Sequence, residues 1–424
     1  MSLNGQPMSR YPYVQDDIVV ASPHQRQVLG VLEEANVCVG QVEDSADLDL
    51  SRIPLLHAGE SAADALDALA PHGPTQAGDP LTRILMALRR HFADRHGGWV
   101  PTMGKNRLLG PVSGGGGAVS HGGGGSPKRT RARWKPRVAG PGRGVRVGVF
   151  DTALFEHPWL SGGWTGGQSD RLPRPDGPYL EEAGHGTFVT GLVLNQAPGA
   201  TVQVCCVLPG PPPAGTPSAL QPYTASCWEV AKKIVSAGRD LDILNLSLLC
   251  YTDDGVPPLV LARAIDRLDP DVVVVAAAGN HGDLHRRPDG PRRYPAGHEN
   301  LPAYPAALDD VVAVGAADRH GRPMSFTPAG KCWIDLLVFG DDLLSTYLSG
   351  PVAPRGGRQR KFSSWARWSG SSFAAALLSG AVAAGTEPGR VSARQSLDEI
   401  RRNAGPASVG PNDYTPPFVD LRVT

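Results

Sequence analysis

The decapeptide "DVVVVAAAGN" (residues 271–280) is an unbroken run of β-branched and small apolar residues that stops at Gly-Asn. A strand with one wet face alternates apolar with polar residues. A run that is apolar at every position belongs to a strand covered on both faces. Similar runs flank it: "VRVGVFD" (145–151), "ATVQVCCVL" (200–208), "LDILNLSLL" (241–249) and "DDVVAVGAAD" (309–318). Between them lie helical stretches, "GHGTFVTGLVLNQAP" (184–198), "YTASCWEVAKKIVSAG" (223–238), closed by Gly238, and "PPLVLARAIDRLD" (257–269), with proline at its start. Buried strands alternating with helices predict an α/β domain over 145–424 with a mostly parallel central sheet. Ligands of such sheets bind beyond the carboxyl ends of the strands, so the residues that end these runs are where chemistry is to be sought.

Four residues stand there. Asp151 ends the first strand, in "VFDTA". His185 opens a helix between two glycines, which leave its imidazole edge uncovered. Asn280 ends "VVVVAAAGN". Ser372 lies near the start of "WSGSSFAAALLSGAVAAG" (368–385), a helix of small residues that can pack closely. Each has a plain reading as a turn, a cap or a strand end. Together they supply what a serine nucleophile needs: a base to take its proton, an acid to hold that base in one tautomer, and an amide donor for a developing oxyanion. The free N–H groups at the helix start also favour negative charge beside Ser372.

With these residues in the order Asp, His, Ser, the chain resembles the subtilisin-like serine proteases. The resemblance covers about 145–405. It rests on "VGVFDTA" around Asp151, "GHGTFVTGLV" around His185, "ILNLSL" (243–248), "VVVVAAAGNHG" around Asn280, "YPAALDDVVAVGA" (304–316) and "SGSSFAAALLSGAVA" around Ser372. It implies a subtilisin-like three-layer fold and a serine endopeptidase acting on a polypeptide substrate through an acyl-enzyme. Asp151 would orient His185, His185 would be general base and acid, Ser372 would attack, and Asn280 with the Ser372 N–H would form the oxyanion hole. Ser247, Leu248 and Leu249 would pair with an extended substrate, and Ala277, Ala278 and Gly279, in "AAAG" (276–279), would line the pocket for the residue before the scissile bond. The sequence departs from the family pattern at Ala153, Leu249, Ser371 and Ala376, none of which is a reacting group. Two other readings stand beside hydrolysis: a peptide ligase or macrocyclase of the same fold, and a regulator that grips peptides without cutting them.

The preceding region (1–109) reads as a separate small α/β domain of the ferredoxin-like kind. "DIVVA" (17–21), "VCVGQV" (37–42) and "RIPLLHA" (52–58) read as strands, and "PHQRQVLGVLEEA" (23–35) and "DPLTRILMALRRHFADRH" (79–96) as helices. Many family members carry such a prodomain, which implies an intramolecular inhibitor here. A Gly/Pro-rich basic linker joins the two regions over 110–144. It holds two blocks of four glycines and reads as a flexible tether. A second basic stretch, Arg355, Arg358, Arg360, Lys361 and Arg367, reads as a solvated insertion before Ser372.

Bulk composition excludes rather than assigns. Lys+Arg and Asp+Glu are both 41, so net charge offers no attraction to nucleic acid or an anionic membrane. No apolar run reaches transmembrane length, and the first residues lack the basic and apolar segments of a secretory signal, so a cytoplasmic location is expected. The six cysteines lack metal-ligand or disulfide-framework spacing and are expected to be free and mostly buried. No cofactor is expected. Calcium sites are frequent in the family, but no acidic loop commits to one.

Overall fold

The computed structural model describes residues 13–56, 59–68, 79–111, 124–212, 220–252, 255–283, 298–328, 333–354, 358–406 and 416–421. The N-terminal part comprises Tyr13–Ala21 (β1), Gln25–Glu34 (α1), Glu43–Ser45 (β2), Leu50–Pro54 (β3), Glu60–Ala68 (α2), Pro80–Arg95 (α3) and Met103–Pro111 (β4). Its four strands form an antiparallel sheet in the order β4-β1-β3-β2, the order of a ferredoxin-like β-α-β-β-α-β unit with a split second helix. Period-two alternation divides β1 between two cores. Ile18 and Val20 pack with Val28, Leu32, Ile84, Leu88 and Phe92 of the unit itself, while Val19 and Ala21 join the core of the larger unit. Helix α3 starts as its sequence predicts, with Asp79 accepting from Thr82 N at 3.0 Å and proline next in line.

The expected strand at 37–42 is absent. Val39 makes one isolated bridge to Leu55, and β2 follows at 43–45. The third expected strand is shifted to 50–54. Strand β4 escapes the apolar pattern because Lys105, Asn106 and Arg107 are buried with polar partners.

The larger unit runs through Lys128–Arg129 (β5), Arg146–Asp151 (β6), Trp164–Thr165 (β7), Tyr179–Leu180 (β8), His185–Gln196 (α4), Thr201–Cys206 (β9), Ala225–Ser226 (β10) and Cys227–Ala237 (α5). It continues with Ile243–Leu246 (β11), Leu248–Leu249 (β12), Leu259–Asp266 (α6), Val273–Ala277 (β13), Val311–Ala317 (β14), Leu336–Phe339 (β15), Leu343–Ala353 (β16) and Arg360–Trp368 (β17). Ser371–Gly385 (α7), Ala393–Arg402 (α8) and Phe418–Val419 (β18) complete it. Eight strands form a parallel sheet in the order β18-β15-β14-β13-β11-β6-β9-β7. Helix α7, built of alanines and other small residues, lies against β11, β13, β14 and β15 and packs on α4. On α4, Gly191 meets the Ser345 and Thr346 hydroxyls of β16, and Ser345 and Thr346 donate to the Phe188 and Thr187 carbonyls at 2.8 Å each.

The stretch expected to be a free tether is largely seated. Residues 112–123, including the first glycine block, lie outside the described residues, but 124–144 rest on the larger unit. Strand β5 pairs with β17. Arg137 donates to the carbonyls of Pro198 (2.9 Å) and Ser161 (2.7 Å). Trp134 packs on Trp159 and Trp365, with ring centroids 4.8 and 5.3 Å apart. Trp368 donates to Gly125 O at 2.7 Å. The insertion expected to be a solvated loop is the β16–β17 hairpin, which buries Tyr347, Phe362 and Trp368. Arg355 lies outside the described residues, and Arg367 pairs with Asp342 at 3.2 Å.

Among the described residues no cysteine is paired; Cys206, Cys227 and Cys250 are buried, Cys205 is half-buried and Cys38 is exposed. Cys332 lies outside them. No described helix is long and apolar enough to cross a membrane.

His157 sits where the seated arm, the hairpin and the large unit meet. Its Nδ1 accepts from Trp159 N at 3.0 Å, and its ring stands edge-on to Trp365. Burial pushes its pKa down to about 4. The unfolded imidazole titrates near 6.5, so between these values protons bind the unfolded chain and not the fold. Stability is therefore complete above about pH 6.5 and declines as pH falls toward 4. Melting temperature should drop between neutral pH and pH 5 by less in His157→Gln than in the parent; equal slopes would refute the assignment.

Candidate active site

Asp151 is the last residue of β6 and His185 the first of α4, and the fold makes them partners. His185 Nδ1 donates to both carboxylate oxygens of Asp151 at 2.8 Å. Both side chains are buried. Thr152 fixes the pair from two directions: its N–H donates to Asp151 Oδ1 at 2.7 Å, and its hydroxyl accepts from Gly186 N at 3.0 Å. Gly186 must be glycine, because a Cβ there would collide with the Thr152 carbonyl. The His185 ring lies 5.7 Å from Trp368 and 5.4 Å from Phe373, centroid to centroid, walled by the residues that bracket the Ser371–Ser372 helix start.

Ser372 is the second residue of α7. Its hydroxyl and His185 Nε2 are both buried, and neither has a hydrogen-bond partner among the described residues. In a protein that leaves most buried polar groups satisfied, two such atoms, one a hydroxyl and one a ring nitrogen, have hydrogen-bonding capacity in reserve. The Asn280 carbonyl oxygen accepts from Ser371 N at 2.9 Å, and its amide nitrogen lies 3.3 Å from where a Cβ on Gly370 would stand. The neighbouring Ser371 is engaged elsewhere, its hydroxyl accepting from Gly279 N at 3.2 Å. The two serines of "GSS" are thereby distinguished, one tied to the pocket wall and one whose hydroxyl has no partner among the described residues.

Ser247, first of the three residues expected to pair with a substrate, has its side chain held inside the protein. It precedes β12, is fully buried, and donates to Asn245 Oδ1 (2.9 Å) and the Ser372 carbonyl (3.2 Å). Asn245 donates in turn to Ser379 of α7 at 3.0 Å. This buried polar chain locks the end of β11 to α7, so Ser247 acts through its side chain as a brace. Leu248 and Leu249 do present a strand edge, but it is occupied by the protein's own β4. Leu249 pairs with Gly110 and Leu248 with Pro111. On the opposite side β4 pairs with β10, Leu109 facing Ala225 and Leu108 facing Ser226. Residues 108–111 thus run as an extended chain between two strand edges. Ala277, Ala278 and Gly279 continue β13 toward Asn280 and are buried there, with Gly279 at φ +97°.

Sequence reasoning missed β10 as the second wall and β4 as its occupant. The signal was faint: Ala225–Ser226 is two residues long, and β4 carries charges. Among the described residues no group of three or more His, Cys, Asp or Glu side chains is placed to hold a metal ion.

The chain is similar to known proteins in sequence and in fold. The model of the "Subtilase family" (Peptidase_S8) matches residues 142–395. Mycosin-3 of Mycobacterium tuberculosis is 30% identical over 274 residues, 57% of this chain and 58% of that protein. Subtilisin E of Bacillus subtilis is 26% identical over 49% of this chain. The match spans about half the length of subtilisin E, 50%. Among solved structures, fervidolysin of Fervidobacterium pennivorans, described as a keratinolytic enzyme related to subtilisin, superposes with a TM-score of 0.60. The alignment covers 99% of this chain and 64% of that one at 16% identity. The epidermin leader peptide processing serine protease of Staphylococcus aureus gives a TM-score of 0.55, covering 96% of each chain, also at 16% identity. These structural likenesses establish the fold. The family model spans more than half of the sequence, and the chain belongs to the subtilase family of subtilisin-like serine proteases.

Proposed function

We propose that this chain is a serine endopeptidase whose nucleophile is Ser372, with His185 as general base and acid, Asp151 as its orienting acid, and Asn280 with the Ser372 N–H as oxyanion donors. The observation that carries the reading is the His185 imidazole held by both oxygens of a buried Asp151, with its other nitrogen and the Ser372 hydroxyl left without partners among the described residues. Such a pair fixes the tautomer whose Nε2 can take the serine proton and later deliver it to the leaving amine, and Asp151 stabilises the imidazolium in between. The attacked carbonyl becomes an oxyanion at the start of α7, where backbone N–H groups converge.

The substrate is an extended polypeptide that adds as a strand between β10 and β12. Residues 108–111 already lie in that position, which supports a second role: the N-terminal unit is an intramolecular inhibitor. It is gripped beyond the groove as well. Asn106 caps α5 by accepting from Trp228 N at 3.1 Å and donates to Asp17 at 3.0 Å. Around this contact Glu43, Asp47 and Asp49 face Lys232, Arg239 and Arg263 at 2.6, 2.8 and 3.4 Å.

Labelling with a fluorophosphonate should modify the protein at Ser372, and Ser372→Ala should abolish the adduct. An adduct elsewhere, or none, would remove the assignment. Asp151→Asn should lower kcat by about 10⁴-fold through the wrong imidazole tautomer. Asn280→Ala should lower it by about 10²- to 10³-fold, the loss established for such a donor in a subtilisin.

Inhibition by the N-terminal unit predicts faster labelling when its grip is loosened. Asn106→Ala should speed labelling of the full-length protein, and so should raising salt from about 0.05 to about 0.5 M, which screens the three ion pairs. Rates indifferent to both would refute the inhibitory role.

A further inference from the structure

The register of β4 shows where a bound chain meets Ser372. Gly110 stands opposite Leu249 and Pro111 opposite Leu248, so the next residue of a chain bound this way stands opposite Ser247. Ser247 is hydrogen-bonded to the Ser372 carbonyl. In the proposed binding mode the residue opposite Ser247 carries the attacked carbonyl. Beside it, β11 and β13 are paired as far as Leu246 and Ala276, and the ladder does not extend to their continuations, 247–249 and 278–280. A side chain next to the scissile bond enters between these two segments.

That entry is crossed by the protein's own side chains. Gly279 adopts φ +97°, and a Cβ at this position would lie 3.4 Å from Leu249 Cδ2 and 2.6 Å from His281 Nδ1. The Leu249 isobutyl group therefore reaches from one wall to the other. The His281 imidazole packs behind it and is pinned: Tyr251 donates to Nδ1 at 2.9 Å, and Nε2 donates to Leu301 O at 2.9 Å. The Tyr251 ring stands edge-on to it, 4.8 Å away. Leu249 and His281 are 1% and 0% exposed with residues 108–111 seated alongside. None of Leu249, Ala277, Ala278, Gly279 and Tyr251 carries a charge.

We infer that Leu249, backed by the His281–Tyr251 pair, closes the pocket for the residue before the scissile bond, so that the enzyme cuts after glycine, alanine or valine and rejects aromatic, long aliphatic and basic residues. This inference rests on Ser372 being the nucleophile and names the substrate class of that site. Leu249 is the specificity-determining residue. The pinned His281 denies it the space to swing aside, and the uncharged lining offers nothing to a basic side chain.

The test uses full-length Asn106→Ala protein at about 0.5 M salt, which loosens the hold of residues 108–111 on the groove, and fluorogenic peptides Leu-Gly-Pro-X, which repeat residues 109–111, with X as Gly, Ala, Val, Leu, Phe or Arg. Active enzyme is counted by fluorophosphonate labelling of Ser372. The Ala peptide should exceed the Phe and Arg peptides in kcat/KM by about 100-fold, the upper range for excluding bulk from a packed pocket. Leu249→Gly should raise the Phe/Ala ratio about tenfold or more, and Leu249→Ala should move it the same way by less. A labelled parent enzyme that cuts after Phe or Arg as fast as after Ala overturns the closed pocket and leaves the nucleophile assignment standing. So does a labelled Leu249→Gly with an unchanged ratio. If Ser372 takes no label, the nucleophile assignment fails and the pocket inference falls with it.

Discussion

Because β6, β11 and β13 run in the same direction, whatever follows each of them arrives at one edge of the sheet. Asp151 ends β6, Ser247 follows β11, and Ala278, Gly279 and Asn280 follow β13. The start of α7 comes to the same edge because Gly340, just beyond β15, accepts from Gly370 N at 2.9 Å. No residue of this group needs a long or flexible side chain to reach the others; the parallel register does the gathering. What the side chains add is restraint: Thr152 on Asp151, Ser371 on Gly279, Ser247 on the Ser372 carbonyl.

The restraint depends on small residues. Helix α7 approaches the sheet and α4 closely enough that a Cβ on Gly380 would crowd the Val193 carbonyl and Gln196. Its serine at 379 is consumed in the buried chain with Asn245 and Ala375. A helix of leucines in this place would stand farther off and carry Ser372 away from His185. The alanine-rich composition of 373–384 is thus part of the catalytic geometry proposed for the site as well as of the packing.

Much of the parallel sheet could be read from sequence, since Val272–Ala278 is apolar at every position and its neighbours are mostly so. The ends of those runs could be read for the same reason, which put Asp151, His185, Asn280 and Ser372 in view together. Elements whose stability comes from partners far along the chain stayed hidden. Strand β4 carries Lys105, Asn106 and Arg107, and only distant partners such as Asp79, Asp17 and Trp228 make such residues tolerable inside. Strand β5 is two basic residues that gain a ladder from Ala366 and Arg367. The seated arm reads as a tether by composition, and it is Trp159, Trp365 and the carbonyls of Ser161 and Pro198 that turn Trp134 and Arg137 into anchors. Leu249 could be noted in the sequence as an unusual residue at a groove edge. Its reach across to Gly279 required His281 to be placed first.

Anchoring the arm from Gly124 onward has a thermodynamic consequence. Both flanks of residues 112–123 are fastened, one through β4 in the groove and the other through Gly125, β5, Trp134 and Arg137. While the chain is intact, the N-terminal unit is presented to its own groove at an effective concentration on the order of millimolar, as for short connections in general. Breaking any one peptide bond in 112–123 leaves every described contact in place and removes only that concentration. Retention of the unit then depends on its bare affinity and on how dilute the protein is. Severing the chain and vacating the groove are separate events with separate clocks, the first set by bond chemistry and the second by dissociation rate.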